Sequence, residues 1–243
     1  KGIKIDKNFS LFYNNLGIIY QTRGYYKKAR NLYNKAAKID KKLPEAQNNL
    51  GNLSRILNNE KEAIIFFKKA INIKSSFFPA YFNLGILYKN IGEFEKARFY
   101  LSEAIKINPN LYTAHRNLSE IIKYTKDNEH LNLLIKIYNA NINNSINKKE
   151  IAFALGKAFE DMNIYDKAFK YYNDGNNLHR KTFNFSIDEE RIEINSIIEK
   201  FTRDFINKNK NDGNRKNTPI FILGMPRSGT TLIEQIVSSH PSV

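Results

Sequence analysis

The tripeptide Asn-Leu-Gly occurs at Asn15-Leu16-Gly17, Asn49-Leu50-Gly51 and Asn83-Leu84-Gly85, each copy 34 residues after the one before. A fixed period of this length means that one small unit is copied along the chain, each copy burying its apolar face against the next. Counting the first unit from Ser10 gives three full units at 10–43, 44–77 and 78–111. Other columns then fall into line: Ala29, Ala63 and Ala97; Ala36, Ala70 and Ala104; Tyr33, Phe67 and Leu101. Small residues recurring beside large ones predict two packed helices per unit, with Gly17, Gly51, Gly85 and the alanines letting paired backbones approach. Gly24 and Gly92 predict left-handed turns, and Pro109 marks the boundary after the third unit.

A fourth unit, 112–145, keeps Asn117-Leu118 but carries Ser119 in the glycine column and bulky Leu131 and Tyr138 in the two alanine columns, so it is degenerate. The pattern returns in a fifth unit, 149–182, through Leu155-Gly156, Tyr165, Ala168, Tyr172 and Gly175. Over these columns the chain resembles the tetratricopeptide repeat family. The resemblance implies a helical-hairpin solenoid over residues 1–182 that presents a surface to a protein or peptide partner.

With 39 Lys and Arg against 24 Asp and Glu, the net charge is +15, which favours anionic partners without choosing among them. One cation per unit recurs at Arg55, Lys89 and Lys123, flanked by Gln21 and Glu160 in the outer units. Such a ladder suits an acidic segment of a partner; the plainer alternative is that a lysine-rich chain places cations at exposed positions. The aromatic residues recur in repeat columns and belong to the core, so no nucleic-acid platform is expected. His115, His130 and His179 share no ligand spacing, and no metal is expected. No cysteine is present, which fits a reducing, cytoplasmic compartment. No apolar run reaches the length of a membrane span, about 18 residues. The chain begins at Lys1 and stops at Val243, and both ends are expected to be cuts in a longer protein.

Beyond the array, apolar residues from Ile187 to Ile206 have helical spacing and predict a bridging helix within 183–217. The polar run 207–217 reads as a linker and domain boundary. Pro219 to Leu223 then predicts a buried strand leading into Gly224-Met-Pro-Arg-Ser-Gly-Thr-Thr231, and Leu232, Ile233, Ile236 and Val237 predict a helix that ends at His240-Pro241. Strand, glycine-containing loop and helix N-terminus together form an anion site. The loop misses the nucleotide-hydrolysing P-loop pattern because Thr230 stands where that pattern has lysine. Arg227 supplies the cation instead, Ser228, Thr230 and Thr231 supply hydroxyl donors, and Gly229 lets the backbone approach. Glu234, near the start of that helix, either orients Arg227 or faces solvent, and His240 reads as a cap.

The stretch 218–243 resembles the phosphosulfate loop of the sulfotransferase family, in particular bacterial proteins joining tetratricopeptide repeats to a sulfotransferase domain and the tyrosylprotein sulfotransferases. The resemblance implies a mainly α chain that passes into the first strand-loop-helix of an α/β domain. It implies 3′-phosphoadenosine 5′-phosphosulfate as donor, its 5′-phosphosulfate held by Arg227, Ser228, Gly229, Thr230 and Thr231. It also implies in-line attack by an acceptor hydroxyl or amine on sulfur, with a catalytic base and a 3′-phosphate site that would lie beyond Val243. The chain to Val243 is therefore expected to be inactive by itself. The alternative is a repeat scaffold without catalytic activity.

Overall fold

The computed structural model describes residues 9–140, 145–184, 186–208 and 233–234, and its elements are all helices. In chain order they are α1 (Ser10–Thr22), α2 (Tyr26–Ile39), α3 (Pro44–Ile56), α4 (Glu60–Ile73), α5 (Phe78–Ile91), α6 (Phe94–Ile107), α7 (Tyr112–Ile121), α8 (Glu129–Asn139), α9 (Ser145–Asp161), α10 (Tyr165–Arg180), α11 (Ile187–Lys200) and α12 (Arg203–Lys208). Two compact parts divide between Asn184 and Phe185.

In the first part α1 packs on α2, α3 on α4, α5 on α6 and α9 on α10, giving antiparallel hairpins with short turns. Each tight turn needs one residue in the left-handed region. Gly24 (φ 78°), Asn58 (φ 56°), Gly92 (φ 86°) and Asn163 (φ 60°) hold that place in their units. Glycine adopts this conformation without a Cβ penalty, and asparagine tolerates it better than most residues. The two glycines were legible in the sequence; the two asparagines fill the same column by that second route.

The glycine column makes room mainly for side chains, and at Gly85 also for the neighbouring backbone, where an added Cβ would lie 3.2 Å from Leu101 N. A Cβ on Gly17 would lie 2.6 Å from the Tyr33 ring, on Gly51 2.6 Å from the Phe67 ring, on Gly85 2.6 Å from Leu101 Cγ and on Gly156 2.5 Å from the Tyr172 ring. Each glycine thus opens a socket for one large side chain of the following helix. Ala29, Ala36, Ala63, Ala70, Ala97 and Ala104 are fully buried, the packing expected where helices meet closely.

Successive first helices also touch: α1 with α3, α3 with α5 and α5 with α7. Asparagine amides fasten this inner row. Asn49 Nδ2 donates to Asn14 Oδ1 and Asn83 Nδ2 to Asn48 Oδ1, both at 2.9 Å, with Asn14 and Asn48 buried. Between hairpins, the Arg30 guanidinium donates twice to the Glu62 carboxylate at 2.8 Å, and Ser54 Oγ donates to the same carboxylate at 2.7 Å. In three other units the column pair of Ser54 and Glu62 is an aromatic ring and a lysine. Lys28 Nζ sits 5.5 Å from the Tyr20 ring centre, Lys96 Nζ 5.5 Å from Tyr88 and Lys167 Nζ 5.2 Å from Phe159.

The fourth unit opens. α7 packs on α6 and α9, and α8 packs on α9, while α7 and α8 do not form the close hairpin seen in the other units. Leu131 and Tyr138 stand where alanine elsewhere lets paired backbones come together, and Leu131 is buried there. α7 stops at Ile121, Ile122 is extended (φ −105°, ψ 151°), and α9 pins the break. Lys157 Nζ donates to Ile122 O at 2.6 Å, and Tyr124 N donates to Asp161 Oδ2 at 2.9 Å.

In the second part the single helix expected over 187–206 is two. α11 begins with Ser186 Oγ accepting from Glu189 N and ends at Lys200, and Thr202 Oγ1 accepts from Phe205 N at 3.2 Å to start α12. Ile187, Ile194, Ile197, Ile198, Phe201 and Phe205 are all exposed. The expected strand Pro219–Leu223, the loop 224–231 and the polar linker from 209 onward lie outside the described residues.

Candidate functional site

Three groups of residues bear on function, and they are built on different parts of the fold. The first is the row of cations on the first helices. Arg55 sits in the last turn of α3 and is half-buried. Lys89, in the last turn of α5, reaches across to α7, donating to Asn117 Oδ1 at 2.7 Å and pairing with Glu120 at 2.5 Å. Lys123 follows the end of α7 on the extended segment and is exposed.

The flanking residues of the same column explain its alternation. Gln21 Oε1 accepts from the Tyr33 hydroxyl at 2.9 Å, and Glu160 Oε2 accepts from the Tyr172 hydroxyl at 2.6 Å. Burial and its acceptor push the Tyr172 hydroxyl well above the usual tyrosine range, and burial pushes Tyr33 up to about 12. Where the facing residue is Phe67 or Leu101 there is no hydroxyl to satisfy, and the column carries Arg55 and Lys89 instead. The cations occupy positions that packing leaves free for charge.

The second group lies in the open fourth unit. His115 Nε2 is 2.9 Å from Pro109 O, His115 Nδ1 is 2.9 Å from His130 Nε2, and His130 Nδ1 is 2.7 Å from the Tyr124 hydroxyl. A carbonyl only accepts, so His115 carries its proton on Nε2 and accepts on Nδ1 from His130, which in turn accepts from Tyr124. Both imidazoles are neutral in this arrangement and their rings lie edge to edge in nearly one plane, with centroids 5.2 Å apart and planes 5° from parallel. Burial, reinforced by His115, pushes His130 down to about 3, and burial lowers His115 despite the Pro109 carbonyl. Two histidines without ligand spacing in the sequence are thus neighbours in the fold. They consume each other's hydrogen-bonding capacity, and no group of three metal-binding side chains forms among the described residues.

The third group is the anion loop. Arg227, Ser228, Gly229, Thr230 and Thr231 lie outside the described residues, as does His240. Ile233 and Glu234, the two described positions of that segment, are helical and exposed. No helix among the described residues is long and apolar enough to cross a membrane.

Sequence comparison bears on the repeats and the loop separately. Residues 10–43, 44–77 and 78–111 each match the tetratricopeptide repeat, over the same spans as three hairpins of the structure. The array is built of tetratricopeptide repeats. An uncharacterized protein of Aquifex aeolicus (strain VF5) is 36% identical over 124 residues, which cover 51% of this chain and 16% of that protein, so the chain spans about one sixth of that relative's length. Among solved structures, the tetratricopeptide-repeat protein YrrB, described as having an unusual peptide-binding site, is 18% identical with a TM-score of 0.53, covering 73% of this chain and 90% of its own. MamA is 22% identical with a TM-score of 0.53, covering 74% and 98%. PilF of Pseudomonas aeruginosa is 22% identical with a TM-score of 0.58, covering 76% and 80%. At these identities the likeness is one of fold. Separately, residues 219–243 match the sulfotransferase family.

Proposed function

We propose that the tetratricopeptide array holds a protein substrate or partner for a sulfotransferase whose donor-binding loop begins at Pro219. The observation that carries this reading is the joining, in one chain, of three tetratricopeptide units at 10–111 to a sulfotransferase-family match at 219–243. A solenoid of this kind offers an extended inner wall made by successive first helices, a surface suited to an extended segment of another protein.

In the reaction proposed for the complete domain, an acceptor hydroxyl or amine attacks sulfur of 3′-phosphoadenosine 5′-phosphosulfate. Its proton passes to a base supplied by the rest of the domain, the bond from sulfur to the bridging oxygen breaks, and adenosine 3′,5′-bisphosphate leaves. Arg227, with the hydroxyls of Ser228, Thr230 and Thr231, would hold the phosphosulfate and stabilise the charge that grows on the leaving phosphate. Gly229 would let the backbone N–H groups close on the same oxygens.

For the array, Arg55, Lys89 and Lys123 favour an acidic segment. Lys89 already pairs with Glu120, so its contribution requires exchanging one carboxylate for another. Exposed pairs contribute about 0.2–1 kcal/mol each and are screened by salt. The test replaces all three with Glu and titrates an acidic peptide at low ionic strength. Weaker binding by the triple variant supports the acidic ladder; equal affinity removes it and leaves the repeats as a surface of other specificity.

A further inference from the structure

The break in the fourth unit leaves a cleft beside α7. In the first three units the second helix begins within a few residues of the end of the first, whereas α8 starts at Glu129, well after α7 stops at Ile121. The space between α6 and this long connection forms a cleft of about 360 Å³, the size of a small-molecule site. Leu118, Ile121 and Ile122 form its apolar part, and Arg98, Ser102 and Lys123 bring polar groups to it. Glu95, Asn128 and His130 complete the lining.

The cleft is preformed. Its moving part would be the segment 122–124, yet Lys157 holds Ile122 O, Asp161 holds Tyr124 N, and the Tyr124 side chain is buried with its hydroxyl on His130. A ligand therefore finds walls already ordered, which lowers the entropy cost of binding.

The charge in the cleft is positive. Arg98 donates to Glu95 at 2.5 Å, and those two charges offset each other. Lys123 is exposed, and among the described residues no carboxylate forms an ion pair with it. Asn128 spends its side-chain oxygen on the N–H groups of His130 and Leu131, so the start of α8 is already capped and the anion must be met by side chains. His130 is neutral, with both ring nitrogens engaged.

We propose that this cleft binds a small organic anion, a carboxylate or phosphomonoester borne on an apolar body about one ring in size. The acid group would sit between Lys123, Arg98 and the Ser102 hydroxyl, and the body would rest on Leu118, Ile121 and Ile122. This site is separate from the donor loop and shares Lys123 with the cation column of the first helices.

The test is an NMR titration of the 243-residue chain with phenyl phosphate, beside inorganic phosphate and phenol, which carry the acid group and the ring separately. Phenyl phosphate should give saturable shifts at the amides of Ser102, Ile122, Lys123 and His130, with a Kd about tenfold below that of either part. Lys123→Glu should raise that Kd about tenfold with an unchanged melting temperature, since the side chain is exposed. Arg98→Gln, which removes one exposed ion pair, should also weaken binding. The absence of saturable shifts at those amides, phenyl phosphate binding no better than inorganic phosphate, or unaltered affinity in both variants would overturn the proposal.

Discussion

Gly51 opens the socket that the ring of Phe67 fills: a Cβ placed on Gly51 would stand 2.6 Å from Cε1 and 2.7 Å from Cδ1 of that ring. Phe67 is fully buried and belongs to the cluster joining the second and third hairpins. Gly51→Ala should destabilise the array by about 1–3 kcal/mol through overpacking, against the roughly 1 kcal/mol that alanine gains over glycine inside a helix. In a Phe67→Ala background the same change should become neutral or stabilising, because the clash has gone. Urea unfolding of the four variants of this double-mutant cycle measures the coupling; additive effects would show that the glycine has another purpose.

The neutral histidine pair sets a pH dependence. His130 and His115 are lowered in the folded state relative to the usual value near 6.5, so the unfolded chain takes up protons that the folded chain refuses. Their stabilisation is fully present above about pH 6.5 and is lost as pH falls from there toward the folded value, about 3 for His130. Each unprotonated histidine costs about 1.4 kcal/mol per pH unit in that window. Unfolding free energies between pH 7 and 5 should fall more steeply in the parent than in His130→Phe. Equal slopes would mean that the imidazole titrates normally.

Glu62 adds a separate acid-side contribution. Hydrogen bonds from Arg30 and then Ser54 hold its carboxyl below the usual range, so this stability is present above about pH 4.5 and is lost as pH falls through the folded value. The Arg30 and Glu62 side chains are 35% and 27% exposed, and solvent screening limits the pair. Glu62→Gln should cost about 1 kcal/mol at pH 7 and much less at pH 3, read from thermal melts. A cost that does not change with pH would assign the effect to packing.

The architecture was legible in the sequence because a glycine and the large side chain it accommodates must recur together. Gly17 with Tyr33, Gly51 with Phe67 and Gly156 with Tyr172 announce the hairpins before any coordinates exist. What those glycines do was less legible, since spacing alone does not distinguish backbone approach from a side-chain socket. Ser119, Leu131 and Tyr138 mark the fourth unit as degenerate in the sequence, but the consequence, an open connection with a cleft and a buried histidine relay, depends on contacts between distant residues. Lys157 and Asp161 hold that connection from the next hairpin. The meeting of His115 with His130 has no local signal. Of the cation column, the sequence supplied the spacing; the partners of Lys89 and the placement of Lys123 after α7 needed the fold. The loop at Arg227 is read as an anion motif from its residue types alone, and it lies outside the described residues.

The proposed function requires the segment from Pro219 to bind the phosphosulfate donor of a sulfotransferase joined to the repeats. Calorimetric titration of adenosine 3′,5′-bisphosphate into the protein carried through a complete sulfotransferase domain tests it most directly. Arg227→Ala should weaken binding by about 1.5–3 kcal/mol, roughly 10- to 100-fold, with helical content unchanged. Equal affinity in the parent and in the folded variant would remove Arg227 from the donor site.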